Sequence, residues 1–192
     1  KKERKQEALK QDKQEALRKE KLEKERKLSM AFVEKNLKPS IAKFESEDYS
    51  GLIEIFEKIA KLPTNYWVED DELRYRTLAG IYKVRSATRT LSRDWAETYC
   101  SELGDFSSIT RLNLVPEYLV VEAECALVSE DYAEALKNYE SLRSSYRERG
   151  EMLGVSEKLV SEIRQEKRRH DEKALPAAER KKLEVERKLA ED

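Results

Sequence analysis

Glycine and proline are scarce in this 192-residue chain, at five and four. Both punctuate sheets and loops far more often than long helices, so their rarity argues against a strand-rich fold. Cysteine is limited to Cys100 and Cys125, too few for a disulfide scaffold or a cysteine-based metal cluster. Each lies in an expected helix, where the pair is expected to act as two buried thiols, small apolar groups. A single bridge between them would instead imply an oxidising compartment. The one histidine, His170, sits in Lys167-Arg168-Arg169-His170-Asp171 on a polar stretch and is expected to be solvated. Serine–histidine and cysteine–histidine triads lose their base with it, and a metal site loses its commonest ligand.

Several motifs are missing as well. No GxxxxGK[ST], GxGxxG or paired-cysteine zinc spacing occurs, and the acidic run Glu69-Asp70-Asp71-Glu72 lacks the glycine turn of a calcium loop. That run reads as the charged first turn of a helix. No apolar stretch approaches the roughly 18 residues of a membrane helix; the best is Tyr118-Leu119-Val120-Val121. These gaps leave no catalytic residue, no cofactor and no metal ligand set to expect, and they disfavour an enzyme.

Charge is what the chain has in abundance: 41% of its residues are Asp, Glu, Lys or Arg. Residues 1–28 carry a net +5, residues 29–156 a net −7 and residues 157–192 a net +1. The body is therefore acidic, and a nucleic-acid surface would be confined to the N-terminal arm, where acids interleave with the bases. The chain starts at Lys1 without methionine. That leaves room for an upstream signal peptide, so cytoplasmic and periplasmic or secreted locations both stay open.

The first 28 residues contain no helix breaker and consist almost wholly of strong helix formers. Lys5-Gln6-Glu7-Ala8-Leu9 returns eight residues later as Lys13-Gln14-Glu15-Ala16-Leu17. Eight residues advance a helix by about 80° beyond two turns, so the repeat cannot hold a long coiled-coil seam. The arm reads as a solvated helix laced by Glu–Lys pairs such as Glu15–Lys19 and Glu20–Lys24, or one lying weakly against a partner or a second subunit. Pro39 is expected to interrupt or restart it, with Pro63, Pro116 and Pro176 marking later boundaries. Helices are predicted at about 3–37, 39–46, 49–62, 71–90, 92–103, 116–129, 131–149, 154–174 and 176–190, with Ser92 and Gly104 as caps of the fifth and loops at Thr64–Trp67 and Asp105–Ser108.

Ser-Glu-Asp-Tyr occurs at Ser46–Tyr49 and again at Ser129–Tyr132. After the first copy come Leu52, Ile53, Phe56 and Ile59; after the second come Ala135, Leu136, Tyr139 and Leu142. Both sets form one face of a helix, which must press on another element. Ser or Asp is expected to cap the helix, and Tyr to pack at the hairpin base. The segment EYLVVEAECALVSEDYAEALKNYESL, at about 116–143, resembles one tetratricopeptide-repeat (TPR) unit. Small Ala123 and Ala126 lie in its first helix, Asp131-Tyr132 at the turn, then Ala135, Tyr139 and Leu142. A partial likeness covers 39–63 and a weaker one 71–103. The steps from Leu52 to Ala96 and on to Ala135 are 44 and 39 residues, against a family period of about 34, so the repeats are irregular. The resemblance implies stacked helix hairpins and binding of other proteins or peptides.

The expected fold is all-α: a TPR-like body of irregular antiparallel hairpins at 39–150, between a charged N-terminal helical arm at 1–38 and a capping helix plus charged C-terminal arm at 151–192. Tyr66, Trp67, Tyr75 and Tyr82 gather about one loop and helix, with Trp95 and Tyr99 on the next. Most are expected in the core. Those left exposed, first Tyr66, Trp67 and Tyr75 with Arg74 and Arg76 beside them, are the expected protein-binding anchors, because aromatic and arginine side chains are enriched at hot spots. The function this suggests is a non-enzymatic scaffold or adaptor for other proteins. Two alternatives stand beside it. One is a structural subunit of a larger assembly, such as a coat or sheath on a flagellar or cytoskeletal filament. The other is attachment of the basic arm to nucleic acid or an anionic membrane.

Overall fold

The computed structural model describes residues 2–66, 69–103, 109–177 and 179–183, apart from the side chains of 2–6, 8–10 and 64. The fold is all-α, and no strand forms among the described residues. The helices are α1 (Lys2–Glu45), α2 (Leu52–Ala60), α3 (Asp70–Thr90), α4 (Arg93–Ser101), α5 (Val115–Val128), α6 (Tyr132–Ser145), α7 (Arg147–Met152) and α8 (Glu157–Ala174), with a 3-10 turn at Thr64–Tyr66. Residue 177 and residues 179–183 are also helical. The expected features at Trp67, Gly104–Ser108 and 184–190 lie outside the described residues.

The chain forms two compact units, Lys1–Thr90 and Leu91–Asp192. The expected boundaries at 38/39 and 150/151 fall inside α1 and α7 instead. In the first unit α2 packs against α3, and the C-terminal part of α1 lies on both. Its core is built from Val33, Leu37, Phe44, Leu52, Phe56, Ile59, Ala79 and Tyr82. Phe44 meets Tyr82 edge-on at 5.2 Å, and the Arg85 guanidinium sits 4.8 Å over the Phe44 ring.

Pro39 does not divide the first helix: α1 runs through it. Proline inside a helix removes one hydrogen bond and crowds the carbonyl four residues back, at a cost of about 3 kcal/mol. Here the buried side chains lie on one face both before and after it, Val33 and Leu37, then Ser40 and Phe44, while Pro39 itself is exposed. Burying a side chain of the Phe44 type contributes about 1.5–3 kcal/mol. Phe44 with the half-buried Ile41 therefore offsets the proline, and the helix continues.

In the second unit α5 and α6 form an antiparallel hairpin, α8 lies against α6, and α4 lies against α5. Its core contains Val120, Ala123, Tyr139, Leu142, Leu153, Val155, Val160 and Ile163. The helix expected over 131–149 breaks at Tyr146, whose backbone (φ −139°, ψ 43°) is non-helical. Ser144 just before the break donates to the Ser141 carbonyl, the kind of local bond by which serine competes with helical pairing. Residues of α7 then turn back onto α5. Arg149 Nε donates to Oε1 of Glu117 at 2.9 Å, and its Nη2 reaches the same oxygen.

The two Ser-Glu-Asp-Tyr copies prove to be helix exits first. In each, Glu takes a left-handed conformation, Glu47 at φ 61° and Glu130 at φ 60°. The following Asp amide donates five residues back, Asp48 to the Lys43 carbonyl and Asp131 to that of Ala126. That bond from a residue beyond a left-handed position terminates a helix in the Schellman manner. The copies then diverge. Asp131 caps α6 by accepting from the Glu134 amide at 3.0 Å. Asp48 accepts from Ser50, and α2 starts instead at Gly51, whose φ of 68° suits a residue without Cβ. Tyr49 packs edge-on against Phe44, and Tyr132 lies tilted against His170 with ring centres 5.5 Å apart.

Candidate interaction surfaces

Cys100 and Cys125 are not free thiols, contrary to expectation. They form a disulfide between α4 and α5, with Cα atoms 5.6 Å apart. Position explains why periodicity missed it: both residues lie on the facing sides of two packed helices, and a helical cysteine looks the same in sequence whether bonded or buried. Ala96 is the only buried residue of α4. The helix is therefore held by the cystine and by an ion pair, Arg93 Nη1 to Glu130 Oε1 at 2.6 Å, more than by apolar burial. The Glu97 and Glu130 carboxylates hold the Arg93 guanidinium above its ordinary pKa. Trp95 points the other way and is 64% exposed.

His170 is half-exposed, with Nε2 3.9 Å from Glu130 and Nδ1 4.0 Å from Asp171. No group of three or more His, Cys, Asp or Glu able to hold a metal ion occurs among the described residues.

Among the described anchors expected at 66–76, Tyr66, Arg74, Tyr75 and Arg76 do not form an exposed face. Tyr66 is buried and its hydroxyl donates to Glu25 of α1 at 3.2 Å. Burial and that carboxylate both push the phenol above its ordinary pKa. Arg76 Nε donates to the Ala60 carbonyl at 3.2 Å, closing the α2–α3 hairpin. Arg74 is half-buried, and its Nε is enclosed with no hydrogen-bond partner. Tyr75 is half-buried and, with Val33, Leu37 and Lys38, lines a cleft of about 240 Å³ between α1 and α3. Trp67 lies outside the described residues. Arg26, which nothing in the sequence sets apart from the other basic residues of α1, ties Tyr66 and the start of α3 to that helix. Its guanidinium pairs with Glu72 at the start of α3, and its Nε donates to the Tyr66 carbonyl at 3.3 Å. Tyr66 and Glu72 are thus clamped to α1 through Glu25 and Arg26.

Above Arg26 the same helix changes character. Residues 11–24 are exposed on every side. They are supported by pairs along the helix, Glu15–Lys19 at 2.8 Å and Lys21–Glu25 at 3.9 Å. Hydrogen bonding to Lys19 lowers the Glu15 carboxyl pKa, and the same bond raises that of Lys19. Leu17 and Leu28 are about two-thirds exposed, and Phe32 also faces solvent. The signal for this face was available in the sequence: Leu17 and Leu28 are eleven residues apart, about three helical turns, while the buried Val33 and Leu37 lie on the opposite side.

Comparison of the chain with known protein families, with characterised proteins and with solved structures finds no match. No described helix is long and apolar enough to cross a membrane.

Proposed function

We propose that this chain is a non-enzymatic protein–protein interaction scaffold or adaptor. The observation that carries the reading is the placement of large apolar side chains on well-formed helices, largely uncovered by the described residues. Leu17 and Leu28 on α1, Trp95 on α4 and Met152 at the end of α7 are each exposed by roughly two-thirds. Single exposed leucines are ordinary on a protein surface, but tryptophan is enriched at binding hot spots, and the paired leucines of α1 add apolar contact area that its own unit does not use. In this reading the TPR-like α5–α6 hairpin and its cystine hold α4 and Trp95 in place within the second unit, and the leucines of α1 offer a separate contact on the first.

The Cys100–Cys125 bridge supports work in an oxidising compartment, where such bonds persist. A second reading, a structural subunit of a larger assembly, draws support from the exposed length of α1 over residues 11–24, which suits shallow lateral contacts. The test is cross-linking of the tagged full chain in its native extract, beside Trp95→Ala and Leu28→Gln variants. A defined set of cross-linked proteins, diminished in one or both variants, is expected. Identical sets from all three chains would overturn the assignment of these surfaces, and cross-links only to further copies of the chain would favour the assembly subunit.

A further inference from the structure

One face of α1 combines the exposed apolar residues with lysines in a single row. At about 100° per residue, Leu17, Lys21, Lys24, Leu28, Phe32 and Lys35 fall within an arc of about 80° and span about 27 Å along the axis. All six are exposed. No Asp or Glu between residues 11 and 38 enters that arc; Glu20, Glu25 and Glu34 lie to its sides and Asp12, Glu15 and Glu23 behind. Lys21 has Glu25 beside it at 3.9 Å. Arg26, Val33 and Leu37, which hold α1 to its own unit, occupy the opposite side, so the row is not needed for folding.

We propose that this row docks an acidic helix of another protein, with carboxylates set against Lys24 and Lys35 and apolar gaps receiving Leu17, Leu28 and Phe32. The lysines decide the partner. They repel a second copy of the same row, which excludes α1 pairing with itself through this face. They stand between the leucines, in the middle of the row. A membrane-surface helix needs a broad apolar centre with cations at its edges, and α1 has Phe32 as its only aromatic residue before Phe44. Against nucleic acid, Glu20, Glu25 and Glu34 would face the phosphates. An acidic helix satisfies both components, through opposite charges and i, i+4, i+7 spacing.

The inference rests on the interaction-module reading, and its test separates the two. The probe is a labelled synthetic helix carrying Glu opposite the lysines and Ala or Leu opposite the leucines, titrated with the oxidised full chain. Its Glu-to-Lys counterpart and mixed phosphatidylserine–phosphatidylcholine vesicles serve as the other arms. Saturable binding of the acidic helix is expected, weakened roughly tenfold by Leu28→Gln and by Lys24→Glu, with the Lys24→Glu effect fading at high salt and the Leu28→Gln effect persisting. Circular dichroism checks that both variants keep their helix content. Failure to bind, equal binding by Leu28→Gln, or binding to vesicles in preference to the acidic helix would overturn the proposal. If the probe fails while cross-linked partners still depend on Trp95, only this inference falls. If no partner is found by either route, the interaction reading falls with it.

Discussion

The two units solve the same problem, a helical hairpin with a third helix laid across it, by different means. In the first, a long helix is clamped by Arg26 and Tyr66 and its apolar face is buried on aromatic rings, with no covalent link. In the second, a short helix that buries little is stapled by Cys100–Cys125 and an Arg93–Glu130 pair. A helix with a continuous apolar face needs no crosslink, whereas α4, with Ala96 as its only buried residue, gains its fixed position from one. The difference also separates what each unit leaves outside: the first exposes a basic row on α1, the second a tryptophan.

The contrast can be broken from either side. The largest effect is expected from Phe56→Ala. It removes a fully buried ring from the first core and should destabilise that unit by about 3–5 kcal/mol, seen as lost hydrogen-exchange protection over α2 and α3 while α5 and α6 keep theirs. Replacing Cys100 and Cys125 by Ser, or reducing them with a dithiol, should act on the other unit. Opening a loop of this length costs about 3 kcal/mol, and α4 should be released first. A dithiol that leaves α4 protected would show that the ion pair suffices. Glu47→Gly should move the other way, stabilising the first unit by about 1 kcal/mol, because the left-handed backbone at Glu47 then carries no Cβ. A denaturant midpoint that falls would mean that the Glu47 side chain contributes more than its strain. Trp95→Ala should change stability by no more than about 0.5 kcal/mol, which distinguishes a recognition residue from a core one.

Acid titration is expected to have the smallest effect, on α1. Glu15 has a folded pKa below its ordinary value because Lys19 donates to it. Its contribution is therefore complete above the unfolded carboxylate pKa and is lost as pH falls through the folded one. Lys19 is raised by the same bond, so its contribution is complete below the unfolded lysine value and fades only as pH rises through the folded one. Far-ultraviolet dichroism should show a small loss of helix below about pH 4.5, diminished by salt because the exposed pairs are then already screened, with the Glu57–Lys61 pair of α2 contributing in the same direction.

The all-α class and the α5–α6 hairpin were legible because periodic apolar residues and proline positions act locally. The Pro39 boundary was not, because Phe44 and Ile41 hold the helix together through tertiary contacts that no propensity contains. The tyrosine at 66 failed as an exposed anchor for a related reason. It is held against α1 by Glu25 and Arg26, about forty residues earlier, and single charged residues in a charged arm carry no mark of such a clamp. Trp95 was read with the core aromatics, although it lies about 100° from Ala96 around α4 and could have been placed outside by Ala96 and Cys100 alone. The cystine needed the register of two helices, which depends on how α4 meets α5.

The central claim is that α1 presents a free face above its clamp. The most direct measurement is peptide-resolved hydrogen exchange of the isolated full chain at a concentration where it is monodisperse. Amides of residues 11–24 are expected to exchange orders of magnitude faster than those of residues 33–44, since only local helix stability protects them. Equal protection in the two segments would contradict the claim, because the outer face of α1 would then already be covered.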